Sequence, residues 1–217
     1  MGIKIVFMAR GRPKNIKSWD EREEVHPFVR FPQSGNQAKY LILGSFPPNK
    51  FSIYPDQCSK RDERFFYGSK DNSFWDLFIK AQDLDLKWPD NILQLKKWIE
   101  INGWQVTDIV AKASRRKNTA LDSDLIPLTW NVEVVDSILS ENPIEKIVFT
   151  SNWVKENFNR NVKSQLLSYN GRYSDIVLIS PSPAGLISTD WAKKLLPKIE
   201  SESLEKYRER YYKWALT

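Results

Sequence analysis

Cysteine and histidine are almost absent from this 217-residue chain, which contains one of each, Cys58 and His26. A single cysteine cannot form an internal disulfide bond. Together with one histidine it cannot supply the four ligands of a structural zinc or iron–sulfur site. The composition therefore argues against a disulfide-stabilised domain and against a transition metal held by the protein.

A long apolar run is also absent from the first twelve residues. Their sequence, MGIKIVFMARGR, contains an apolar stretch too short for a secretory signal or a membrane span. We therefore expect a cytoplasmic protein in a reducing compartment, with no membrane partner.

Charge of one sign exceeds the other only moderately, since 33 Lys and Arg residues against 27 Asp and Glu give a net charge of +6. This charge favours a polyanionic partner, although a solvated, lysine-rich surface explains it equally well. Hydrophobic residues make up 41% of the chain. A chain of this length buries about 70% of the surface of its unfolded form, enough for one core. We expect one domain over residues 1–217, acting as a monomer.

Short apolar runs alternate with helical periodicity along the chain. The runs that predict strands are residues 40–43, 104–110, 147–149 and 176–179. The segments with helical periodicity are residues 72–82, 89–102, 131–140 and 153–167. This alternation predicts the α/β class with a mainly parallel sheet. From Thr189 the chain is helical again, with a break at Pro197.

Two loops after predicted core strands have unusual compositions. Residues 44–48 (GSFPP) follow the first strand, and residues 180–185 (SPSPAG) follow the last. Gly44 permits a tight turn and a close approach to a ligand, while the prolines hold the backbone rigid. The carboxyl ends of parallel strands meet at one edge of a sheet, where ligands bind. The two loops are therefore expected at a common site.

A third segment, residues 65–75 (FFYGSKDNSFW), has five aromatic rings around a polar turn. The rings after the turn have helical spacing together with Leu77 and Phe78, which predicts that they belong to the core. Three rings precede the turn, Phe65, Phe66 and Tyr67, and they either face a ligand, as expected of Phe66 or Tyr67, or belong to the core as well.

Six short motifs occur in a fixed order: VHPF (25–28), LILGSFPP (41–48), FYGSKDNSFW (66–75), VTDIV (106–110), IVFTSN (147–152) and ISPSPA (179–184). In sequence and spacing they resemble the uracil-DNA glycosylase superfamily, most closely its hypoxanthine-DNA glycosylase-like branch. The similarity covers about residues 25–190 and leaves residues 190–217 as a helical extension. It implies a three-layer α/β/α fold around a four-stranded, mainly parallel sheet.

The resemblance also implies an activity, the removal of a damaged base from DNA by a monofunctional glycosylase that needs no metal or organic cofactor. Such an enzyme flips its target nucleotide out of the duplex and holds the base by stacking and hydrogen bonds. Stacking on an aromatic ring contributes roughly 1–3 kcal/mol per base. Phe66 or Tyr67 is expected to supply that ring.

Asn72 occupies the position of the family's catalytic asparagine, where its amide would position the attacking water or the base. Asparagine is also a favoured N-cap, and Asn72 stands where a helix is predicted to begin. Asp71 is able to cap that helix instead. Both roles of Asn72 therefore remain open from the sequence.

The other expected site residues fall into two groups. Those assigned to base binding are Gly44, Ser45, Phe46, Phe66, Tyr67 and Asn152. Those assigned to DNA binding are Ser180, Pro181, Ser182, Pro183, Lys112, Arg115 and Arg116. Each group has a structural alternative: Asn152 as a helix cap, the serine–proline loop as a rigid turn, and the basic residues, placed in a predicted loop, as solvated charge.

Two departures from the family pattern favour a different function. Phe46 stands where many relatives carry an acidic residue or asparagine, which argues against general-base catalysis from that loop, and Ser180 stands where many have histidine. A non-catalytic nucleic-acid-binding protein on the same fold is therefore the first alternative, and a nucleoside hydrolase the second. His26 is predicted to be structural. Residues 10–14 (RGRPK) resemble the core of an AT-hook, or form a basic turn.

Overall fold

The computed structural model describes residues 20–33, 37–117, 119–182 and 190–217. The proposed AT-hook segment and Pro183 lie outside these ranges. The strands, in chain order, are β1 (Asp20–Val25), β2 (Tyr40–Gly44), β3 (Trp104–Asp108), β4 (Val110–Arg115), β5 (Leu125–Trp130), β6 (Lys146–Phe149) and β7 (Ser174–Val177). The α-helices are α1 (Asn49–Ser52), α2 (Phe74–Ala81), α3 (Ile92–Ile101), α4 (Val132–Glu141), α5 (Asn152–Asn157), α6 (Asp190–Leu195) and α7 (Leu204–Leu216).

Four strands form a parallel sheet in the order β3-β2-β6-β7. This confirms the predicted four-stranded sheet. The last strand begins and ends two residues earlier than predicted, so Leu178 and Ile179 follow it as buried residues outside the ladder. Short continuous apolar runs are typical of parallel strands covered on both faces, which is why the sequence predicted these four.

Helices cover both faces of this sheet, as the side chains of β2 illustrate. Ile42 belongs to a buried cluster that includes residues of α2, α3 and α7. Leu41 and Leu43 belong to a second cluster with residues of α4 and α5. Because successive side chains of a strand point to opposite faces, the two clusters lie on opposite sides. The fold is therefore the predicted three-layer α/β/α arrangement.

A second sheet, β1-β4-β5, is antiparallel and was not predicted. The segment predicted as one strand over residues 104–110 is two strands. The Ile109 amide still donates to the Gly44 carbonyl of the parallel sheet, at 2.8 Å, and the chain leaves that sheet after Ile109. The backbone then continues as β4 between β1 and β5. Lys112 and Arg115 thus lie on a strand, and their assignment to a loop is wrong.

Residues 190–217 form the two helices α6 and α7, on either side of the predicted break at Pro197. Tyr207, Tyr211 and Tyr212 of α7 are fully buried in the cluster that includes α2. The Tyr211 hydroxyl donates to the Val177 carbonyl at 2.8 Å, and the Tyr212 hydroxyl donates to the Ile179 carbonyl at 2.7 Å. The helix therefore supplies hydrogen bonds where the β7 ladder has ended.

None of the helices within the described ranges has the length and apolar composition needed to cross a membrane.

Candidate active site

A cleft of about 440 Å³ lies at the carboxyl edge of the parallel sheet. Its walls include residues at or just after the ends of all four parallel strands, namely Ser45, Asp108, Thr150 and Ser180. Its volume is within the usual range for ligand sites, about 300–1,000 Å³. The predicted site residues that line it are Ser45, Phe46, Tyr67, Asn72, Asn152, Ser180, Pro181 and Ser182.

Phe66 does not line the cleft, and the prediction that it faces a base is wrong. Its side chain is 3% exposed and packs against the rings of His26, Phe28 and Phe65. The Trp75 indole donates to the Phe66 carbonyl at 2.6 Å, which fixes this part of the turn in the core. The turn therefore buries Phe66 and brings the next ring to the cleft.

That next ring, Tyr67, is the only one of the five in the turn that is not fully buried. Its backbone has a φ of 54°, a left-handed conformation that is costly for a bulky residue and often occurs at functional sites. Its hydroxyl donates to Asp108 Oδ1 at 3.3 Å. Burial and the Asp108 charge raise the pKa of Tyr67 well above its ordinary value, so the hydroxyl keeps its proton.

Gly44 is absent from the lining of the cleft and lies under Tyr67 and Asp108. A Cβ atom at Gly44 would come within 1.9 Å of the Tyr67 hydroxyl and 2.1 Å of Asp108 Oδ1. The absence of a side chain therefore admits these two protein groups, and the close approach of the backbone to a ligand stays a prediction.

Asp108 is the last residue of β3, and sequence reasoning did not single it out. His26 Nε2 lies 2.7 Å from Asp108 Oδ2, and the Phe28 amide donates to His26 Nδ1 at 3.0 Å. Because Nδ1 is an acceptor, the imidazole proton resides on Nε2 and is donated to Asp108. Both carboxylate oxygens of Asp108 thus have donors, from His26 and Tyr67. The only imidazole orients a carboxylate in the cleft wall.

Asp122 is the second carboxylate that sequence reasoning missed. It begins a 3₁₀ turn (Asp122–Asp124) between β4 and β5 and lines the cleft. Ser45 donates to its side chain, and the Ser151 hydroxyl lies 3.5 Å from Oδ2. Burial raises the pKa of Asp122, and the charge of Asp108 raises it further, against the opposing effect of the Ser45 hydrogen bond.

Asn72 lines the cleft and also stabilises the start of α2. Its Oδ1 accepts a hydrogen bond from the Phe74 amide at 2.9 Å. Asp71 does not take this role, because its carboxylate pairs with Lys70 at 2.8 Å. The Asn72 amide group, for which the described residues provide no acceptor, is the part of the side chain left to act in the cleft.

The turn that carries Asn72 is anchored from outside by Asp62. The carboxylate accepts hydrogen bonds from Lys50 Nζ at 2.6 Å, from the Lys70 amide at 2.7 Å and from the Ser59 amide at 2.6 Å. Burial alone would raise the pKa of Asp62, but these donors outweigh it and lower the pKa to about 2. The ionised carboxylate therefore ties the polar turn to the α1 region.

Asn152 lies exposed on the rim of the cleft, as the first residue of α5. The helix is capped by Ser151, whose hydroxyl accepts from the Val154 amide at 3.3 Å, so the capping alternative for Asn152 is wrong. Asn152 Nδ2 donates to Glu156 at 2.6 Å.

The closing loop lines the cleft through Ser180, Pro181 and Ser182, and α7 holds it in place. Arg208 donates to the carbonyls of Ser180 at 2.9 Å and Ser182 at 3.2 Å, and to the Ser73 hydroxyl at 3.4 Å. Burial lowers the pKa of Arg208. The sequence did not predict that a residue of the C-terminal extension joins this loop to the Asn72 turn.

The predicted basic DNA-binding residues do not line the cleft. Arg115 is 2% exposed, pairs with Glu24 at 2.8 Å and donates to the Pro47 carbonyl at 2.6 Å, so it stabilises the first loop. Lys112 pairs with Glu23 at 2.9 Å. Both charges are paired with the acidic strand β1. The assignment of the buried Arg115 to DNA is wrong, while that of the half-exposed Lys112 stays a prediction. Arg116, which follows β4, is exposed.

The charge of the cleft itself is negative. Its lining contains three carboxylates and, among the described residues, no lysine, arginine or histidine. The described residues also contain no group of three or more His, Cys, Asp or Glu side chains that is placed to hold a metal ion. The arrangement suits a reaction in which positive charge develops on the substrate, because fixed negative groups stabilise such a transition state.

Comparison with known proteins finds this fold in a solved structure. A solution NMR structure described as "a putative Uracil DNA glycosylase from Methanosarcina acetivorans" matches with a TM-score of 0.50 and 19% sequence identity, covering 85% of this chain and 94% of that chain. No family model and no curated protein matches the sequence. The chain therefore has a uracil-DNA glycosylase-like fold.

Proposed function

We propose that this protein is a monofunctional DNA glycosylase that flips out a deaminated or damaged base, of the uracil or hypoxanthine type, and hydrolyses its N-glycosidic bond. The observation that carries the proposal is the acidic cleft at the carboxyl edge of a uracil-DNA glycosylase-like fold, into which the motif containing Asn72 brings its side chain. The motif resemblance adds support for the hypoxanthine-type branch.

The residues of the cleft fit the binding of a flipped base. Phe46 and Tyr67 give the cleft aromatic walls, and stacking of a base on one of them offsets part of the cost of leaving the duplex. Asn152 on the rim supplies a side-chain amide for contacts with a base edge or the flanking strand. Ser180 and Ser182 supply hydroxyls for phosphate oxygens.

The chemistry requires no metal. Cleavage of an N-glycosidic bond passes through an oxocarbenium-like transition state, and the carboxylates of the cleft stabilise the positive charge on the sugar. The amide of Asn72 positions the water or the base beside the sugar carbon. In this proposal the protein acts as a monomer on DNA that contains a damaged base.

The first prediction tests the activity directly. The purified protein, with EDTA present, is incubated with end-labelled single- and double-stranded oligonucleotides that contain uracil, hypoxanthine, xanthine or mismatched thymine, and abasic sites are then cleaved with alkali. We expect strand breaks at one lesion, and a reduction of roughly 100-fold or more in Asn72→Ala, since positioning of the reactants supplies a large part of the rate. DNA affinity should change little.

A specific observation favours one alternative. Phe46 replaces the acidic residue of many relatives and Ser180 replaces histidine, which is the pattern expected of a non-catalytic nucleic-acid-binding protein on this fold. No strand break at any lesion, together with salt-dependent DNA binding, would select that alternative. If Asn72→Ala lost excision only in proportion to the fraction of the protein that had unfolded, the role of Asn72 would be to cap α2.

A further inference from the structure

The reaction proposed above lacks an assigned proton acceptor. The first loop carries Phe46 where many relatives have an acidic residue, and the amide of Asn72 cannot accept a proton near neutral pH. Two carboxylates are fixed deep in the cleft wall by other elements, Asp108 at the end of β3 and Asp122 in the turn between β4 and β5.

The two carboxylates differ in their hydrogen bonds. Asp108 accepts from His26 Nε2 at Oδ2 and from the Tyr67 hydroxyl at Oδ1, so each of its oxygens has a side-chain donor, and the residue is only 5% exposed. The partners of Asp122 are the hydroxyls of Ser45 and Ser151, whose protons rotate and which also accept hydrogen bonds. Asp122 is half-buried and lines the cleft, so a water molecule in the cleft reaches it more readily than it reaches the buried Asp108.

The charges around Asp122 strengthen it as a base. Burial removes water from the Asp122 carboxylate, and the nearby charge of Asp108 repels a second negative charge, so both raise the pKa of Asp122. The positive charge of Arg115 lowers the pKa of Asp122, but Arg115 is paired with Glu24. Tyr67, the remaining ionisable neighbour, is neutral. Pairs of groups whose environments differ in this way commonly divide acid–base roles between them.

We infer that Asp122 is the general base that activates water for N-glycosidic hydrolysis, with Ser45 and Ser151 positioning its carboxylate. In this step the water oxygen bonds to the anomeric carbon, and one water proton passes to an Asp122 oxygen. The bond between that carbon and the base breaks, and its electron pair leaves with the base, which takes a proton from solvent. Asp122 then returns its proton to solvent. The inference rests on the proposed glycosylase function.

The test is the single-turnover excision rate as a function of pH, measured for the wild type, Asp122→Asn and Asp124→Asn. Asparagine keeps the size of Asp122, accepts from a serine hydroxyl at its one oxygen and can donate its amide to the other serine oxygen, but it cannot take the proton. Asp124 is a matched control, because it lies in the same 3₁₀ turn, is buried, accepts from Thr119 at 2.7 Å and does not line the cleft.

We expect the wild-type rate to fall as the pH drops through the raised pKa of Asp122, because only the ionised carboxylate accepts a proton. Asp122→Asn should lower the rate by roughly 10²- to 10⁴-fold and abolish this acidic limb, while the DNA dissociation constant stays within a few-fold of wild type. Asp124→Asn should keep both the rate and the limb.

Three results would overturn the inference in distinguishable ways. Excision by Asp122→Asn at the wild-type rate with the acidic limb intact would overturn the base assignment alone. A wild-type rate that is independent of pH between about 4 and 8 would also overturn the base assignment. This measurement needs no variant, and its lower limit is close to the ordinary pKa of aspartate. Absence of excision by the wild type at every lesion would overturn the proposed function, and the inference with it.

Discussion

Gly44 shows at the scale of one residue how the cleft is built. It ends β2, and its backbone lies against the Tyr67 hydroxyl and Asp108, which itself accepts from His26. Three segments far apart in the sequence therefore meet at a position that has no side chain. Neither the hydroxyl nor the carboxylate can occupy its place if a methyl group is added.

We predict that Gly44→Ala damages the cleft more than the fold. The added Cβ would lie 1.9 Å from the Tyr67 hydroxyl and 2.1 Å from Asp108 Oδ1, so both groups must move. Overpacking of this kind costs roughly 1–3 kcal/mol of unfolding free energy. Misplaced cleft groups should lower the excision rate by about 10- to 100-fold. Denaturant unfolding and single-turnover excision measure the two effects.

Gly171→Ala is the control for Gly44→Ala. Gly171 has a φ of +71°, but a Cβ there meets no atom within 4 Å. Gly171→Ala should lower the unfolding free energy by about 1–2 kcal/mol, because alanine disfavours this left-handed backbone conformation, and it should leave the excision rate unchanged. Equal excision by both variants would show that the contact between Gly44, Tyr67 and Asp108 has no part in the activity.

At the scale of elements, the parallel sheet was predictable and the antiparallel sheet was not. The strands of the parallel sheet are short apolar runs such as YLILG and KIVF, because both of their faces are covered. Strands β1 (DEREEV) and β4 (VAKASR) are rich in charge, and their stability comes from pairs such as Glu24 with Arg115 that only the tertiary structure brings together.

This difference decided which site residues the sequence could reveal. Ser45, Tyr67 and Asn72 belong to motifs next to predicted elements, and they reach the cleft. Asp122 lies in a turn of the unpredicted sheet, and no periodicity marks it. Asp108 had a weak indication, since it is a polar residue that ends a buried strand. Because the antiparallel sheet was not predicted, the buried Arg115 was expected in a loop and was assigned to DNA.

Helix α7 gives a prediction at this scale, through Arg208. Replacing it with methionine removes the donor shared by the Ser180 and Ser182 carbonyls and the Ser73 hydroxyl. Loss of hydrogen bonds to partly buried groups should lower the unfolding free energy by roughly 1–3 kcal/mol. The excision rate should fall by about 10-fold or more, because the closing loop and the Asn72 turn lose their common anchor.

Arg210→Met provides the matched control on the same helix. Arg210 pairs with Glu202 at 2.9 Å, away from the residues that line the cleft. Arg210 donates twice to Glu202 and once to the Pro197 carbonyl, and none of these groups lines the cleft, so this variant should excise like the wild type. If Arg208→Met and Arg210→Met had the same excision rate and melting temperature, α7 would have no role in holding the closing loop.

At the scale of the whole molecule, charge is divided between the site and the rest of the protein. The chain carries a net charge of +6, whereas the cleft lining contains Asp71, Asp108 and Asp122. A polyanion is therefore attracted by the molecule and repelled by the interior of its cleft. A flipped, uncharged base enters such a cleft more readily than a phosphate group does.

We predict that binding and chemistry respond differently to salt. Raising the salt concentration from 50 to 200 mM should weaken DNA binding by about 10-fold or more, because phosphate contacts release counterions. The single-turnover rate at saturating enzyme should remain within about 2-fold, since the groups in the cleft are screened much less than surface charges. Fluorescence anisotropy and quenched-flow excision measure the two quantities. An affinity independent of salt would contradict a role for the net charge.

The hydrogen bonds from Tyr211 and Tyr212 to the carbonyls of Val177 and Ile179 also constrain the order of events during translation. Strand β7 and the closing loop leave the ribosome before residues 204–216 do, and a domain generally folds as a unit. Until α7 emerges, those carbonyls lack their partners and the apolar side of α2 is uncovered. The cleft of a nascent chain is therefore complete only after α7 has been synthesised and has docked.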